Sequence, residues 1–175
     1  MKRVAFAQLF PARLQQRFPK SKITAHNAGI GATTSEQRLP ALQKEVLDFH
    51  PDLVTIEFVN DMGQPDDAVR KRYAEIFKQI RAAGAEAILI TPHFVMPPWM
   101  GHEHPRGKET RETVTVLREL AAAYKVALAD TSRRWEHLEA EGLPYTTLLW
   151  NGINHPDDRV HELFVKDLLT FFPKE

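Results

Sequence analysis

Short runs of apolar and β-branched residues alternate along the chain with longer stretches in which apolar positions recur every three or four residues. This alternation is typical of a mostly parallel sheet covered by helices. The clearest strand is Asp52–Val59, and the unbroken apolar run Ala87–Thr91 predicts a central strand buried on both faces. Two further strands are predicted at Lys22–His26 and Lys125–Asp130.

Helical periodicity fills the intervals between these strands. The pattern predicts a helix over Phe10–Phe18, one started by a capping box of Thr34 and Gln37, one capped by Asp66, one over Glu109–Tyr124, one ending at Gly142 and a last one capped by Asp157. The predicted buried positions are Leu39, Leu42, Val46 and Phe49; Val69, Tyr73, Ile76, Phe77 and Ile80; Thr113, Leu117, Leu120 and Tyr124; and Val160, Phe164, Leu168 and Phe171.

The length of the chain bounds its organisation. A chain of 175 residues suits one compact domain and is too short for two ordinary ones, so we expect a single domain over residues 1–175. The predicted fold class is α/β, a three-layer α/β/α sandwich with a mostly parallel sheet of four to five strands. The stretch from Pro92 to Gly107 is rich in proline and lacks any period, which predicts a long loop beyond a strand end.

Composition and charge exclude several classes of function. The 23 basic and 23 acidic side chains give no net charge, so we expect no nucleic-acid partner. No apolar run is long enough for a membrane span or suits a signal peptide, so we expect no membrane insertion. The sequence as given is expected to be cytoplasmic, while a longer, secreted parent protein is not excluded. The absence of cysteine removes disulfides, thiolate nucleophiles and Cys-ligated zinc.

Three polar segments follow predicted strands or start a helix, where open parallel sheets bind their ligands. Asn27–Thr34 offers backbone N–H groups to an anion, or is only a tight glycine turn. Asn60 and Asp61 end the clearest strand, where the amide either donates into the crevice or forms a local turn. Asp158 and His161 are three residues apart at a helix start, so the carboxylate can orient the imidazole as a base. Alternatively, the two side chains are neighbours that only contact solvent, with the aspartate favoured near the helix N terminus.

In this order the three segments resemble the SGNH/GDSL hydrolase superfamily, which has a flavodoxin-like fold, a Gly-Asp-Ser nucleophile motif, an N-x-G-x-x-G turn, a G-x-N-D motif and a late D-x-x-H. The resemblance covers nearly the whole chain from Leu9 onward. It implies that His161 is the general base, that Asp158 orients it, and that the Asn60 side chain and the Ala32 backbone N–H bind the oxyanion of an ester. It implies no cofactor and no metal.

The sequence departs from this pattern at its start. Ala32 and Phe58 replace usual glycines, and no Gly-Asp-Ser occurs. The only serines, Ser21, Ser35 and Ser132, do not follow a predicted first strand. We therefore expect a domain truncated at its N terminus, without its nucleophile block.

A sheet without its first strand has unpaired backbone groups and an apolar gap. Val4, Ala5 and Phe6 would fill part of that gap if they pair as a short strand. Otherwise a partner chain, in a homo-oligomer, completes the sheet, or the sheet is rearranged.

The resulting hypothesis is an SGNH-type serine ester hydrolase, esterase-like or lipase-like, that acts on a small-molecule ester through an acyl enzyme and is inactive if the serine is missing. One alternative is a noncatalytic remnant of the same fold that binds an acyl group or a carbohydrate. Another is a metal-dependent hydrolase that uses His93, His102 and His104. Trp150 and His155 are expected to line the same cleft.

Overall fold

Three parallel strands form the sheet of the computed structural model, which describes residues 5–94, 105–152 and 154–173, with the backbone alone over 105–111. The strands are β1 (Leu53–Ile56), β2 (Glu86–Ile90) and β3 (Ala127–Ala129), in the spatial order β1-β2-β3. In the register of the ladder, Leu53 pairs with Glu86 and Ile88 pairs with Ala127. β2 is central, as its apolar run predicts.

Helices follow the strands along the chain. The described residues form α1 (Phe6–Arg17), α2 (Ser35–Arg38), α3 (Leu42–Glu45), α4 (Asp66–Ala82), α5 (Pro105–Tyr124), α6 (Ser132–Ala140) and α7 (Asp158–Leu169), with 3₁₀ turns at Leu39–Ala41, Leu47–Phe49, Val59–Asp61 and Tyr145–Leu148. The α/β class with a parallel sheet is confirmed, although this part of the chain contains three strands where four to five were expected. Within it, none of the helices has the length and apolar character that crossing a membrane requires.

The sheet separates two apolar clusters. Ile88 and Ile90 of β2 face a cluster formed with α1, α6 and α7, whereas Leu89 faces a cluster formed with α4 and α5. Successive strand residues point to opposite faces, so both sides of the sheet are covered. This arrangement gives the three layers that the sequence predicts.

Helix α1 begins at Phe6 rather than at the predicted Phe10. The Phe6 ring stacks on Phe164 of α7 with centroids 5.0 Å apart, and Phe10 and Leu14 are buried in the first cluster. The expected short strand is therefore wrong at Phe6, because this ring shares one helical face with Phe10 and Leu14. Val4, also assigned to that strand, lies outside the described residues.

The predicted strand Lys22–His26 is also wrong, since this exposed segment joins no ladder. Its contacts are made with side chains instead: Ile23 N–H donates to Gln15 Oε1 at 3.1 Å, and the His26 ring stacks on Phe49 at 3.7 Å. A strand requires a neighbour that pairs its backbone groups, and the described sheet ends at β1. The outer edge of β1 is therefore open in the described structure.

The chain after Thr34 was predicted as one helix but forms short pieces. The capping box of Thr34 and Gln37 is confirmed. Pro40 lacks an N–H group, so the α-helical ladder gives way to a 3₁₀ turn at this residue. The resulting change of phase buries Leu47 and leaves Phe49, a predicted core residue, 56% exposed.

Most of the remaining helix predictions are confirmed. The five inward positions of α4 are buried, and Asp157 caps α7 by accepting from Arg159 N–H and Val160 N–H. Asp66 is the first residue of α4 rather than its cap, which is Pro65. Tyr124 and Phe171 lie at or beyond helix ends and remain 37% and 39% exposed, so their predicted burial is wrong. The loop proposed over 92–107 falls largely on 95–104, outside the described residues, and α5 already begins at Pro105.

Replacing Leu14 by alanine tests whether α1 is an integral part of this fold. Leu14 is 8% exposed in the first cluster, so we expect Leu14→Ala to lower the free energy of unfolding by about 2 to 4 kcal/mol, measured by urea denaturation. Arg13→Ala is the control, because its ion pair with Glu162 is partly exposed and such pairs contribute less than about 1 kcal/mol. Equal losses in the two variants would contradict the packing of α1.

Candidate active site

Two of the predicted site residues meet where β1 ends. Asn60 lies exposed in the 3₁₀ turn Val59–Asp61, and its Nδ2 donates to the Thr33 carbonyl at 3.2 Å. This hydrogen bond places the amide beside the turn that contains Ala32. The second hydrogen on Nδ2 remains available for another acceptor.

Ala32 adopts a backbone conformation that alanine rarely takes. Its φ is 61°, in the left-handed region, which costs roughly 1 to 2 kcal/mol for a residue with a Cβ atom. The residue is exposed, and within the described structure its N–H makes no hydrogen bond to the protein. A strained residue with an exposed donor fits an anion-binding turn, which is the role the sequence predicts.

A buried carboxylate joins the two turns. Asp61 is fully buried, and its Oδ1 accepts the Ser35 N–H at 2.9 Å. Ser35 Oγ in turn accepts from Arg72 Nε at 2.8 Å. The sequence pattern singles out Asp61 only as the neighbour of Asn60. The signal for its role is an acidic residue that follows a buried strand and faces unpaired N–H groups at a helix start.

Further acidic and phenolic groups lie behind this junction. Burial, and secondarily the negative charge of Asp61, raise the pKa of Glu57 to about 7. Burial, Asp61 and Glu57 raise the pKa of Tyr73 well above its usual range. Asp61 Oδ2 and Tyr73 Oη make no hydrogen bond of normal geometry. At acidic pH, Glu57 is therefore a neutral acid.

His161 and Asp158 stand on the first turns of α7, but the structure does not join them. His161 is half-buried, and its Nδ1 accepts the Phe6 N–H at 3.4 Å. Asp158 is exposed, and its carboxylate makes no hydrogen bond or ion pair with any described residue. Because Nδ1 accepts this hydrogen bond, a neutral His161 carries its ring proton on Nε2. A histidine that acts as a base through Nε2 needs that proton on Nδ1 instead.

His93 holds the loop that precedes α7. It lies three residues beyond β2, and its Nε2 bonds to the Asn154 carbonyl at 2.9 Å. Burial lowers its pKa to about 4, assisted by the charges of His161 and His155 and opposed by the Asn154 hydrogen bond. The three imidazoles are thus neighbours. Because β1 and β2 are adjacent and parallel, Asn60 and this histidine group lie at the same edge of the sheet.

Of the three predicted metal ligands, only His93 lies in the part of the chain that the structure describes. His93 bonds to Asn154, while His102 and His104 lie outside the described residues. Among the described residues, no group of three or more His, Asp or Glu could hold a metal ion.

None of the three serines lies beside His161. Ser35 and Ser132 are fully buried, and Ser132 Oγ donates to the Pro92 carbonyl at 2.6 Å. Ser21 is exposed in the bend after α1. Neither its hydroxyl nor those of the other two hydrogen-bonds to His161.

A family model matches most of the chain. Residues 3–163 match the model of the GDSL-like lipase/acylhydrolase family. Comparison with curated protein sequences gives no match.

Solved structures share the fold. An acetylxylan esterase from Geobacillus stearothermophilus superposes with a TM-score of 0.82 at 18% identity, over 95% of this chain and 80% of that one. The acetyl xylan esterase AlAXEase gives 0.82 at 17% identity, over 97% and 91%. Three catalytic mutants of the Geobacillus enzyme have been solved, and each replaces one residue. These residues are a serine, an aspartate, and a histidine three positions after that aspartate.

The pKa values of Glu57 and His93 predict opposite effects of pH on stability. The pKa of Glu57 is about 7 in the folded state and 4.5 ordinarily, so the folded state binds the Glu57 proton more tightly than the unfolded state does. This difference stabilises the folded state fully below pH 4.5, and the stabilisation is lost as the pH rises through 7. The pKa of His93 is about 4 in the folded state and 6.5 ordinarily, so the folded state favours the neutral imidazole. This preference stabilises the folded state fully above pH 6.5, and the stabilisation is lost as the pH falls through 4. Each contributes about 3 kcal/mol.

Single variants separate the two effects in urea denaturation across this pH range. We expect Glu57→Gln to lose stability on acidification more steeply than the parent chain, because only His93 then titrates. We expect His93→Gln, which keeps a donor for Asn154, to lose stability as the pH rises. The control is Glu36→Gln, at an exposed position. If either variant retains the parent pH profile, the corresponding pKa assignment is wrong.

Proposed function

This chain belongs to the GDSL-like lipase/acylhydrolase family, which makes it an SGNH-type ester hydrolase, and we propose that its substrate is an acetyl ester of a carbohydrate. The similar solved structures support this choice, because they are acetylxylan esterases. The Ala32 methyl group supports a small acyl group, since it takes space that a glycine in the oxyanion turn leaves free.

The hydrogen bond from Asn60 to the Ala32 turn carries the proposal. Both residues expose an N–H group at the carboxyl edge of the sheet. An ester carbonyl bound there would accept hydrogen bonds from the Asn60 amide and the Ala32 backbone. Such donors stabilise the negative charge of a tetrahedral transition state by a few kcal/mol each. The Asp61–Ser35 hydrogen bond fixes the two turns before substrate arrives.

We assign His161 as the general base and Asp158 as the residue that orients it. The aspartate-to-histidine spacing matches that of the catalytic mutants of the Geobacillus esterase. The Asp158 carboxylate has no hydrogen-bond partner among the described residues, so it loses none when it turns to His161. It must replace the contact between the Phe6 N–H and His161 Nδ1, which is long at 3.4 Å. Once Asp158 accepts the proton of Nδ1, Nε2 is available as the base.

The three serines of this sequence make no hydrogen bond to His161 in the described structure, so we assign none of them as the nucleophile. In the serine mechanism, the base deprotonates a serine hydroxyl, and water later releases the acyl enzyme. Here we propose that His161 takes the proton from water, whose oxygen attacks the acetyl carbon while Asn60 and Ala32 hold the oxyanion. Collapse then breaks the ester C–O bond, and the proton passes from His161 to the leaving alcohol, so that acetate and the free sugar hydroxyl form.

The burial of Ser35 and Ser132 favours one alternative, a noncatalytic protein that holds the same ligand in the same cleft. This alternative predicts binding of an acetylated oligosaccharide without release of acetate.

Release of acetate from acetylated xylotetraose tests the proposal. We expect a rate above that of buffer, reduced at least tenfold in Asn60→Ala and in Asp158→Asn, because one variant loses an oxyanion donor and the other the orienting carboxylate. Asp157→Asn is the matched control for Asp158→Asn, since Asp157 caps α7 and asparagine is also a good cap. A serine-directed phosphonate should leave no adduct.

Two results would overturn the assignment. Release at the buffer rate by a folded chain that still binds the oligosaccharide would establish the noncatalytic alternative. Equal rates in Asp157→Asn and Asp158→Asn would remove Asp158 from the mechanism.

We also propose that a second copy of the chain completes the sheet at β1. The outer edge of β1 is open within the described sheet, Thr55 is exposed, and the extended segment Lys22–His26 has no ladder partner of its own. Such edges bind further strands unless charge or proline protects them.

Light scattering after size exclusion tests this assembly. We expect the parent chain to form a dimer, and Thr55→Lys to shift it towards monomer because a lysine on an edge strand opposes the addition of another strand. Gln43→Lys adds the same charge at an exposed position outside the sheet and should leave the dimer intact. A monomeric parent chain would refute the proposal.

A further inference from the structure

An exposed aromatic surface lies on the segment that leads into α7. Trp150 is 54% exposed, and its indole stacks on the His155 ring with centroids 5.7 Å apart and planes inclined by 26°. Tryptophan combines a large apolar face with a polar N–H group and is enriched at binding interfaces. No step of the proposed hydrolysis uses this ring.

The segment that carries Trp150 is held in place by its own hydrogen bonds. Leu149 and Pro156 form an antiparallel bridge, and Trp150 N–H donates to the His155 carbonyl at 3.0 Å. Asn151 Oδ1 accepts both the Asn154 and the His155 N–H at 3.0 Å. A ring fixed in this way loses little freedom when a ligand stacks on it, which favours binding.

The same segment adjoins the proposed base. His93 bonds to the Asn154 carbonyl and has both His155 and His161 as electrostatic neighbours. A group stacked on Trp150 would therefore lie next to the end of the cleft at which the ester is cleaved.

The surroundings of Trp150 identify the kind of ligand. A long acyl chain needs a continuous apolar channel, whereas the described residues that follow Trp150 in its segment are Asn151, Gly152, Asn154 and His155, and the ring stacked on the indole is the His155 imidazole. A pyranose ring has an apolar face of C–H groups and a rim of hydroxyls, which matches a flat indole bordered by amides and an imidazole. We propose that Trp150, supported by His155, is a sugar-stacking platform that binds the carbohydrate part of the substrate.

This proposal rests on the proposed function for its substrate class, so the test uses ligands that carry no ester. Isothermal titration calorimetry with unacetylated xylotetraose and cellotetraose measures the platform without hydrolysis. We expect Trp150→Ala to weaken binding at least fivefold and Trp150→Phe to retain most of it. Leu143→Ala, at another exposed apolar residue, is the control and should bind as the parent chain does.

Kinetics then distinguish the platform from the catalytic proposal. If the chain releases acetate, Trp150→Ala should raise KM for acetylated xylotetraose without lowering kcat. Sugar binding lost in Trp150→Ala by a chain that releases no acetate would uphold the platform and reject the esterase assignment. Unchanged sugar affinity in Trp150→Ala, or binding of hexanoate but of neither tetrasaccharide, would overturn the platform.

Discussion

The hydrogen bond between the buried Asp61 carboxylate and the Ser35 backbone is the interaction on which the geometry of the site depends. It ties the turn after β1 to the turn that begins α2, although 26 residues separate the two partners in sequence. An unpaired carboxylate in this position would carry a large desolvation cost, so the bond also constrains how the surrounding chain can pack. Asn60 and Ala32 each occupy one of the turns that it connects.

Local patterns predicted the elements whose stability is decided within a few residues. The apolar run of β2, the inward face of α4, the Thr34 capping box and the Asp157 cap all depend on short-range spacing, and each is found as expected. Errors arose where tertiary partners decide. Lys22–His26 has the composition of a strand, but no neighbouring strand in the described structure pairs with it. One proline was enough to change which residue after α3 is buried.

The candidate site shows the same division. The motif around Asn60 predicts a residue at the end of a strand, and its amide donates to the carbonyl that follows Ala32, because both positions follow from where chain segments end. The partners of the histidines could not be predicted in this way. His161 contacts the backbone of Phe6, which is distant in sequence, and His93 bonds to the Asn154 carbonyl in the loop before α7. Contacts of this kind depend on how α1, β2 and α7 pack, and sequence spacing does not encode that packing.

The docking of α1 on α7 has a consequence for how the chain is made. The rings of Phe6 and Phe164 stack on each other, so the first helix cannot complete its packing until the last one has left the ribosome. At about 5 to 20 residues per second, synthesis of the intervening chain takes on the order of 10 to 30 s. During this time the apolar face of Phe6, Phe10 and Leu14 is available to chaperones and to other nascent chains. Of the described helices, α1 is thus the first to emerge and one of the last to be buried.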